Sequence, residues 1–256
     1  MRNPEPHHPP QRLNLNESSF AAVVFDMDGL LLNTEALARR AMRLAGAELG
    51  VDLPEAFCAL MIGVPVDGCR RLLLEHYQDA FSADDLFAAS TRHLKAQIDA
   101  GEMHLKPGVQ ELLDLVEAHH LPRAVATSSS REKAVHHLSR AGIRHRFDAL
   151  LTRDDVSHGK PHPDLYLAAA EALGMAPSRC LALEDSYNGV RAASAAGMPV
   201  VMVPDLLAPT DEMRTLCLAV VHDLHDVVDM LQRTHGARRL PSRGIPTAGS
   251  LLPPHP

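Results

Sequence analysis

The stretch Ala21-Ala22-Val23-Val24-Phe25-Asp26-Met27-Asp28-Gly29 decides how the chain is read. Its first half is short, apolar, β-branched and aromatic, and a glycine follows soon after, which is the pattern of a buried strand. Two carboxylates then come at i and i+2. On an extended chain they point to the same side, so Asp26 and Asp28 are expected to face one site together. Like charges that close repel, and burying them costs on the order of several kcal/mol unless a cation is shared. A hard ion that takes oxygen ligands, such as Mg²⁺, is the natural remedy. Taken alone, the same residues also read as an acidic turn at a strand end, and the rest of the chain has to decide.

Working outward, 256 residues allow one large domain or two smaller ones. The chain is 46% apolar and 22% charged, as expected of a soluble globular protein. It has no Trp and few other aromatics, so its core must be built from Leu, Val, Ala and Met. A net charge of −7 argues against a nucleic-acid-binding surface, which would show a basic excess. No apolar run approaches the roughly 20 residues of a membrane span. The opening residues are rich in Pro, His and Asn and lack the apolar segment of a secretory signal. Cys58, Cys69, Cys180 and Cys217 are scattered with no CxxC, so free buried thiols in a reducing cytoplasm are expected.

Residues 1–18 read as a flexible arm. After the strand, Thr34 is a fair N-cap for a helix over 36–49, which Gly50 ends. Residues 54–100 read as all helical (54–61, 66–79 and 82–100), with Ser82 and Asp85 resembling a capping box. No strand pattern occurs between 36 and 103, which marks an inserted helical unit. From Pro107 onward strands and helices alternate. Helices are expected near 108–119, 131–141, 164–173, 187–196 and 223–233, and strands near 121–126, 149–151, 180–183, 199–203 and 218–221. Such alternation predicts right-handed βαβ crossovers and an α/β fold whose mostly parallel sheet is covered on both faces. Residues 235–256 read as a disordered tail.

In an open α/β sheet, ligands bind beyond the carboxyl ends of the strands. Four polar groups are expected at such ends: Asp26/Asp28, Thr127/Ser128, Lys160 on a loop after a strand, and Glu184/Asp185. Singly, each has a plainer reading: Thr127-Ser128 as a helix N-cap, Lys160 as a surface lysine, Glu184-Asp185 as a solvated helix start. Jointly they suit phosphoryl transfer. One Asp attacks phosphorus and the second handles the proton, while Lys and Mg²⁺ offset charge on the equatorial oxygens. A Thr hydroxyl and backbone N–H groups at a helix start bind the same oxygens. The many His residues lack zinc-site spacing and are assigned no metal.

These pieces resemble, in order and spacing, the four motifs of the haloacid-dehalogenase-like hydrolase superfamily. Asp26-Met27-Asp28-Gly29 matches the first motif, Thr127-Ser128 the second, Lys160 in Gly159-Lys160-Pro161-His162-Pro163-Asp164 the third and Glu184-Asp185 the fourth. The insertion after the first motif resembles the helical cap of the β-phosphoglucomutase-like phosphatases. The strings Phe25-Asp26-Met27-Asp28-Gly29-Leu30-Leu31-Leu32, Ala126-Thr127-Ser128-Ser129 and Asn188-Gly189-Val190 are also similar to pseudouridine-5′-phosphatase-type members. The resemblance implies a doubly wound Rossmann-like core over 19–33 and 105–234, with an all-helical cap over 34–104. It implies Asp26 as nucleophile, Asp28 as acid/base, and Thr127, Ser128 and Lys160 as phosphate-binding. It also implies Mg²⁺ held by the Asp26 carboxylate, the Asp28 backbone carbonyl and Asp185, with Glu184 as a further ligand or behind them.

The expected function is a cytoplasmic Mg²⁺-dependent phosphatase of a small phosphorylated metabolite (a sugar phosphate or nucleotide-like monoester), with no nucleic-acid or membrane partner. Two alternatives stand beside it. A phosphomutase would carry, by analogy with β-phosphoglucomutase, a Lys and an Arg on the cap loop and a His after the first motif. Aligned here those positions are Ile62, Val66 and Ala38, which favours hydrolysis, although Arg70 and Arg71 lie close by in sequence. A non-catalytic binding protein on the same scaffold would be expected to have lost part of the constellation, and none of the matched positions is lost.

Overall fold

The computed structural model describes residues 20–236 except 62, 63, 65 and 79. The expected arm at 1–18 lies outside the described residues, as does the expected tail at 235–256 apart from 235 and 236, which close the last helix.

Six strands form one sheet: β1 (Ala22–Phe25), β2 (Arg123–Ala126), β3 (Ala149–Leu151), β4 (Cys180–Glu184), β5 (Val200–Met202) and β6 (Ala219–Val220). Their order is β3-β2-β1-β4-β5-β6 and every neighbouring pair is parallel. The order reverses between β1 and β4, which makes the crevice beyond their carboxyl ends the place where this architecture takes a ligand.

Strand alternation builds two cores. Val23 and Phe25 face α5 (Val109–Ala118), α6 (Arg131–Arg140) and α10 (Leu224–Gly236), while Ala22 and Val24 face α7 (Asp164–Ala172) and α8 (Tyr187–Ala195). All four residues of β1 are fully buried, which is why that strand reads as an unbroken apolar run.

Four helices follow β1 before any other strand: α1 (Thr34–Glu48), α2 (Glu55–Leu60), α3 (Val66–Tyr77) and α4 (Ala83–Asp99). They enclose a separate core of Ala45, Leu53, Phe57, Cys58, Leu73, Leu86 and Ala89. Ser82 caps α4 by accepting from the Asp85 N–H at 3.3 Å. The return bond of a capping box does not form among these residues; Asp85 is one methylene shorter than the usual Glu. One helix was not expected, α9 (Asp211–Leu216). Thr210 caps it, and Asp211 and Glu212 fill its first turn, a signal the sequence carries in full. Cys58, Cys69, Cys180 and Cys217 are free thiols. No helix among the described residues is long and apolar enough to cross a membrane.

Two chain crossings join the helical unit to the sheet. Leu32 bridges Leu105 in antiparallel fashion. Next to it the Asn33 amide donates to the Glu102 carbonyl (3.1 Å) and accepts from the His104 N–H (2.8 Å). On the far side Arg140 of α6 donates to the carbonyls of Ile98 (3.1 Å) and Asp99 (2.9 Å), capping the end of α4 from the core. Asn33→Ala leaves the His104 N–H without its acceptor. We expect urea unfolding to show a loss of about 1–2 kcal/mol and amide exchange to accelerate at His104. Unchanged exchange at His104 would contradict this assignment of the crossing.

Candidate active site

β1 and β4 run in register, Phe25 beside Leu183, so Asp26 leaves the sheet level with Glu184. β2 lies on the other side of β1, with Val125 beside Phe25, and delivers Thr127 to the same edge. Lys160 arrives from the loop before α7. Its ammonium lies 2.5 Å from Asp26 Oδ1 and 2.5 Å from Glu184 Oε1, with 4% of its side chain exposed. Lys160, Asp26 and Glu184, far apart in the chain, are thereby in direct contact.

Each expected residue has a distinct setting. Asp26 is pushed up by burial and by the neighbouring Glu184 and Asp28 carboxylates, against the pull of Lys160. Lys160 loses solvation by burial, but Asp26 and Glu184 outweigh this and raise its affinity for the proton. Asp28 accepts from the hydroxyls of Thr34 (2.6 Å), Ser129 (2.6 Å) and, more distantly, Thr127 (3.4 Å), with Lys133 Nζ 3.8 Å away. Burial alone would raise Asp28; Lys133 and the Ser129 and Thr34 hydroxyls outweigh it and hold the carboxyl below its usual range. One turn beyond Lys133, His137 is buried, and burial lowers it to about 4, so it is neutral.

Two expectations change. Thr34 does not cap α1: Asn33 occupies the cap position, and the Thr34 hydroxyl is spent on Asp28. Ser128 is exposed, and its neighbour Ser129 makes the contact to Asp28. Glu184, expected as a further metal ligand or behind the ligands, is surrounded by donors. Oε1 accepts from Lys160 and from the Tyr166 hydroxyl (2.7 Å). Oε2 accepts from the N–H of Asp185 (3.0 Å), the N–H of Ser186 (3.1 Å) and the Ser186 hydroxyl (3.0 Å). With five donors around it, Glu184 anchors Lys160.

Asp185 is the opposite case. It is 4% exposed, and no described residue donates a hydrogen bond to its carboxylate. Burial and the charges of Asp26, Glu184 and Glu35 push it well above its usual range. Gly29 (φ +90°) presses against it so closely that a Cβ there would overlap Asp185 Oδ2. A buried carboxylate to which no described residue donates, and which feels the charge of Asp26, could hold a cation.

Sequence reasoning missed Glu35, Lys106, Ser129, Tyr166 and Asp205. Ligand oxygens of Glu35, Asp185 and Asp205 lie within 4.8 Å of one another. Burial, then Asp205, Asp28 and Glu184, raise Glu35 to about 7. A cavity of about 210 Å³ opens beside Glu35, lined from α1 by Ala38, Arg39 and Met42, from α2 by Cys58, and from the core by Leu206.

The haloacid dehalogenase-like hydrolase family profile matches residues 23–203, a span that includes every residue bonded to Asp26, Asp28 or Glu184. The chain belongs to the haloacid-dehalogenase-like hydrolases. A "Phosphorylated carbohydrates phosphatase" of Thermotoga maritima is 33% identical over 177 residues, covering 69% of this chain and 82% of that protein. A "Probable pseudouridine-5'-phosphatase" of Drosophila melanogaster is 36% identical over 188 residues, covering 71% and 80%. The crystal structure of a haloacid-dehalogenase-family hydrolase from Deinococcus radiodurans, with bound phosphate and sodium, superposes with a TM-score of 0.73 at 27% identity, covering 86% of this chain and 98% of that one. Within the family this chain is a phosphoric monoester hydrolase.

Two predictions follow from this geometry. Gly189 stands in α8 under the Glu184 carboxylate, and a Cβ there would overlap both carboxylate oxygens. An ordinary helical Gly→Ala change stabilises by about 1 kcal/mol. Here Gly189→Ala is expected to destabilise by about 3 kcal/mol in urea and to lower turnover; a gain in stability would contradict the crowding. The second concerns Glu35, whose folded value of about 7 exceeds the ordinary 4.5. Between those values the folded chain keeps a proton that the unfolded chain has lost. Its stabilising contribution is therefore complete below about pH 4.5 and is lost as pH rises through about 7. With chelator present, the unfolding free energy of the wild type should fall more steeply from about pH 5 to about pH 7.5 than that of Glu35→Gln. Parallel curves would contradict this.

Proposed function

We propose that the chain is a Mg²⁺-dependent phosphatase of small phosphorylated metabolites that works through an aspartyl-phosphate on Asp26. One observation carries this reading: the Lys160 ammonium bridges Asp26 and Glu184 beside the donorless Asp185, at the strand-order reversal.

An Asp26 oxygen attacks phosphorus, and the bond from phosphorus to the substrate's ester oxygen breaks. Asp28, two residues on, first takes up a proton from solvent, passes it to that departing oxygen, and then takes one from the water that attacks the aspartyl-phosphate. The second attack releases inorganic phosphate and restores the Asp26 carboxylate. Lys160 offsets charge on the phosphoryl oxygens, and the Thr127 hydroxyl and backbone N–H groups at the start of α6 bind them. The Asp26 and Asp185 carboxylates and the Asp28 backbone carbonyl would hold Mg²⁺, which when bound would supply further charge compensation.

In the observed arrangement Lys133 and the Ser129 and Thr34 hydroxyls hold the Asp28 carboxyl below its usual range, and Thr34, the first residue of α1, ties it to the cap. Movement of the cap is thereby coupled to the release of the acid/base, and the cap also excludes bulk water while phosphorus is transferred.

Nothing observed favours the mutase alternative. Ala38, at the position of the relay His, lines the cavity with a methyl group. Val66 is exposed on α3, and Ile62 lies outside the described residues. Arg70 pairs with Asp84 and stacks on Phe87, inside the helical unit. The relatives named for phosphorylated carbohydrates and pseudouridine 5′-phosphate support a compact leaving group, as does the 210 Å³ cavity, which is smaller than the roughly 300–1,000 Å³ of drug-sized sites.

The test is phosphate release across a panel of sugar phosphates and nucleoside monophosphates, with Mg²⁺ and without any bisphosphate activator. Asp26→Asn should cut turnover by roughly a thousand-fold or more, and EDTA should suppress activity until Mg²⁺ is restored. Phosphate release by Asp26→Asn at the wild-type rate would end the proposal.

A further inference from the structure

Around the proposed cation position stand two carboxylates to which the reaction gives no task. Glu35 comes from the first turn of α1 and Asp205 from the loop after β5, so one belongs to the helical unit and the other to the core. With Asp185 they form a group whose ligand oxygens lie within 4.8 Å of one another.

Proximity of acids alone would mean little, but Asp205 adds an independent observation. Its side chain is 10% exposed and is fixed by Lys106, which donates to Oδ1 at 2.5 Å. The other oxygen, Oδ2, is buried and has no hydrogen-bond partner. It is turned toward Asp185: a Cβ placed on Gly29, which would overlap Asp185 Oδ2, would lie 3.4 Å from Asp205 Oδ2. A buried acceptor without a donor costs about 1–3 kcal/mol. Lys106 could satisfy either oxygen, yet it leaves this one aimed at the cation position.

The chemistry of the ion decides what would fill the gap. Mg²⁺ sheds water reluctantly. It is usually bound through one or two carboxylates plus substrate phosphate, and it keeps several waters. Asp26 and Asp185 already supply two carboxylates. The waters that remain need acceptors, and Glu35 and the free oxygen of Asp205 are acceptors on Asp185's side of the cleft.

We propose that Glu35 and Asp205 form an outer ring of the cation site, accepting hydrogen bonds from the ion's water molecules and so setting its affinity. This rests on the Mg²⁺-dependent reading given above. Both act as positioning residues, since neither touches the reacting phosphorus. One of them rides on the cap helix, so the ion's surroundings are shared between the two parts of the chain.

Binding of Mn²⁺ to the full-length protein, read as free ion by electron paramagnetic resonance, tests this without reference to turnover. Mg²⁺ binding by calorimetry repeats it with the ion proposed for the reaction. Glu35→Gln and Asp205→Asn should each weaken Kd by about ten-fold or more, the scale of outer-ring partners. The loss should persist in 1 M KCl, where the Debye length is about 3 Å and diffuse charge effects are screened. Far-UV circular dichroism of the metal-free variants should match the wild type. Glu35→Gln, at a half-exposed position, provides a readout even where Asp205→Asn folds poorly.

Kd values within about two-fold of wild type for both variants, or a loss that vanishes in 1 M KCl, would overturn the inference. Asp185→Asn separates that failure from a deeper one. If it abolishes ion binding while the other two do not, only the outer ring is wrong. If it binds like wild type, the cation position is wrong and the proposed function fails with it.

Discussion

Lys160 places its ammonium 2.5 Å from Asp26 and 2.5 Å from Glu184, with all three side chains almost wholly out of water. A charge in that position is tolerated only if every partner is present. Removing one member of such a group typically costs about 3–5 kcal/mol, because it strands the others. Glu184 is satisfied by five donors and can act as a fixed anchor. Asp26 keeps one oxygen outside the Lys160 contact, and no described residue donates to the Asp185 carboxylate. The cleft therefore holds more negative charge than Lys160 and Lys133 balance, and a phosphate would add to the excess. In the proposed reaction a cation would offset that charge as the anion enters.

The fold meets this constraint through backbone placement more than through side-chain chemistry. Reversal of strand order between β1 and β4 sets Asp26 beside Glu184 without any insertion or bulge. Two residues without a Cβ then make the site possible. Gly29 lets the chain turn against Asp185, and Gly189 lets α8 begin directly beneath Glu184. The helical unit is not a passive cover. Its first two residues reach the centre, Thr34 at Asp28 and Glu35 at Asp185, while Asn33 ties the two crossings together.

The core elements were legible because their signals are local. The apolar run ending at Phe25, the Gly that stops α1, α6, α7 and α8 and the alternation after Pro107 all state secondary structure within a few residues. The motif order then placed Asp26, Thr127, Lys160 and Glu184 at strand ends. What stayed hidden depends on distance in space. Asp205 lies on an irregular loop and carries no motif; only the fold brings it to Asp185. Lys106 is one of four lysines in the chain and looks exposed until its partner is known. Glu184 shows the limit of reading by residue type: the sequence offers a carboxylate next to Asp185, and only the fold shows the ring of N–H and O–H donors around it. Thr34 was read as a cap because Thr suits that position, but a buried carboxylate competes for its hydroxyl and wins. The α9 signal, by contrast, was present in Thr210, Asp211 and Glu212 and went unread.

The most direct measurement is on the nucleophile. The enzyme should be quenched in acid during turnover of an activated phosphate monoester, and its peptides examined by mass spectrometry for a phosphoryl group. A hydroxylamine-sensitive phosphoryl group on the peptide that carries Asp26, absent in Asp26→Asn, is the expected result. A phosphoryl group trapped on a different residue, with the Asp26 peptide unmodified throughout turnover, would contradict the central claim.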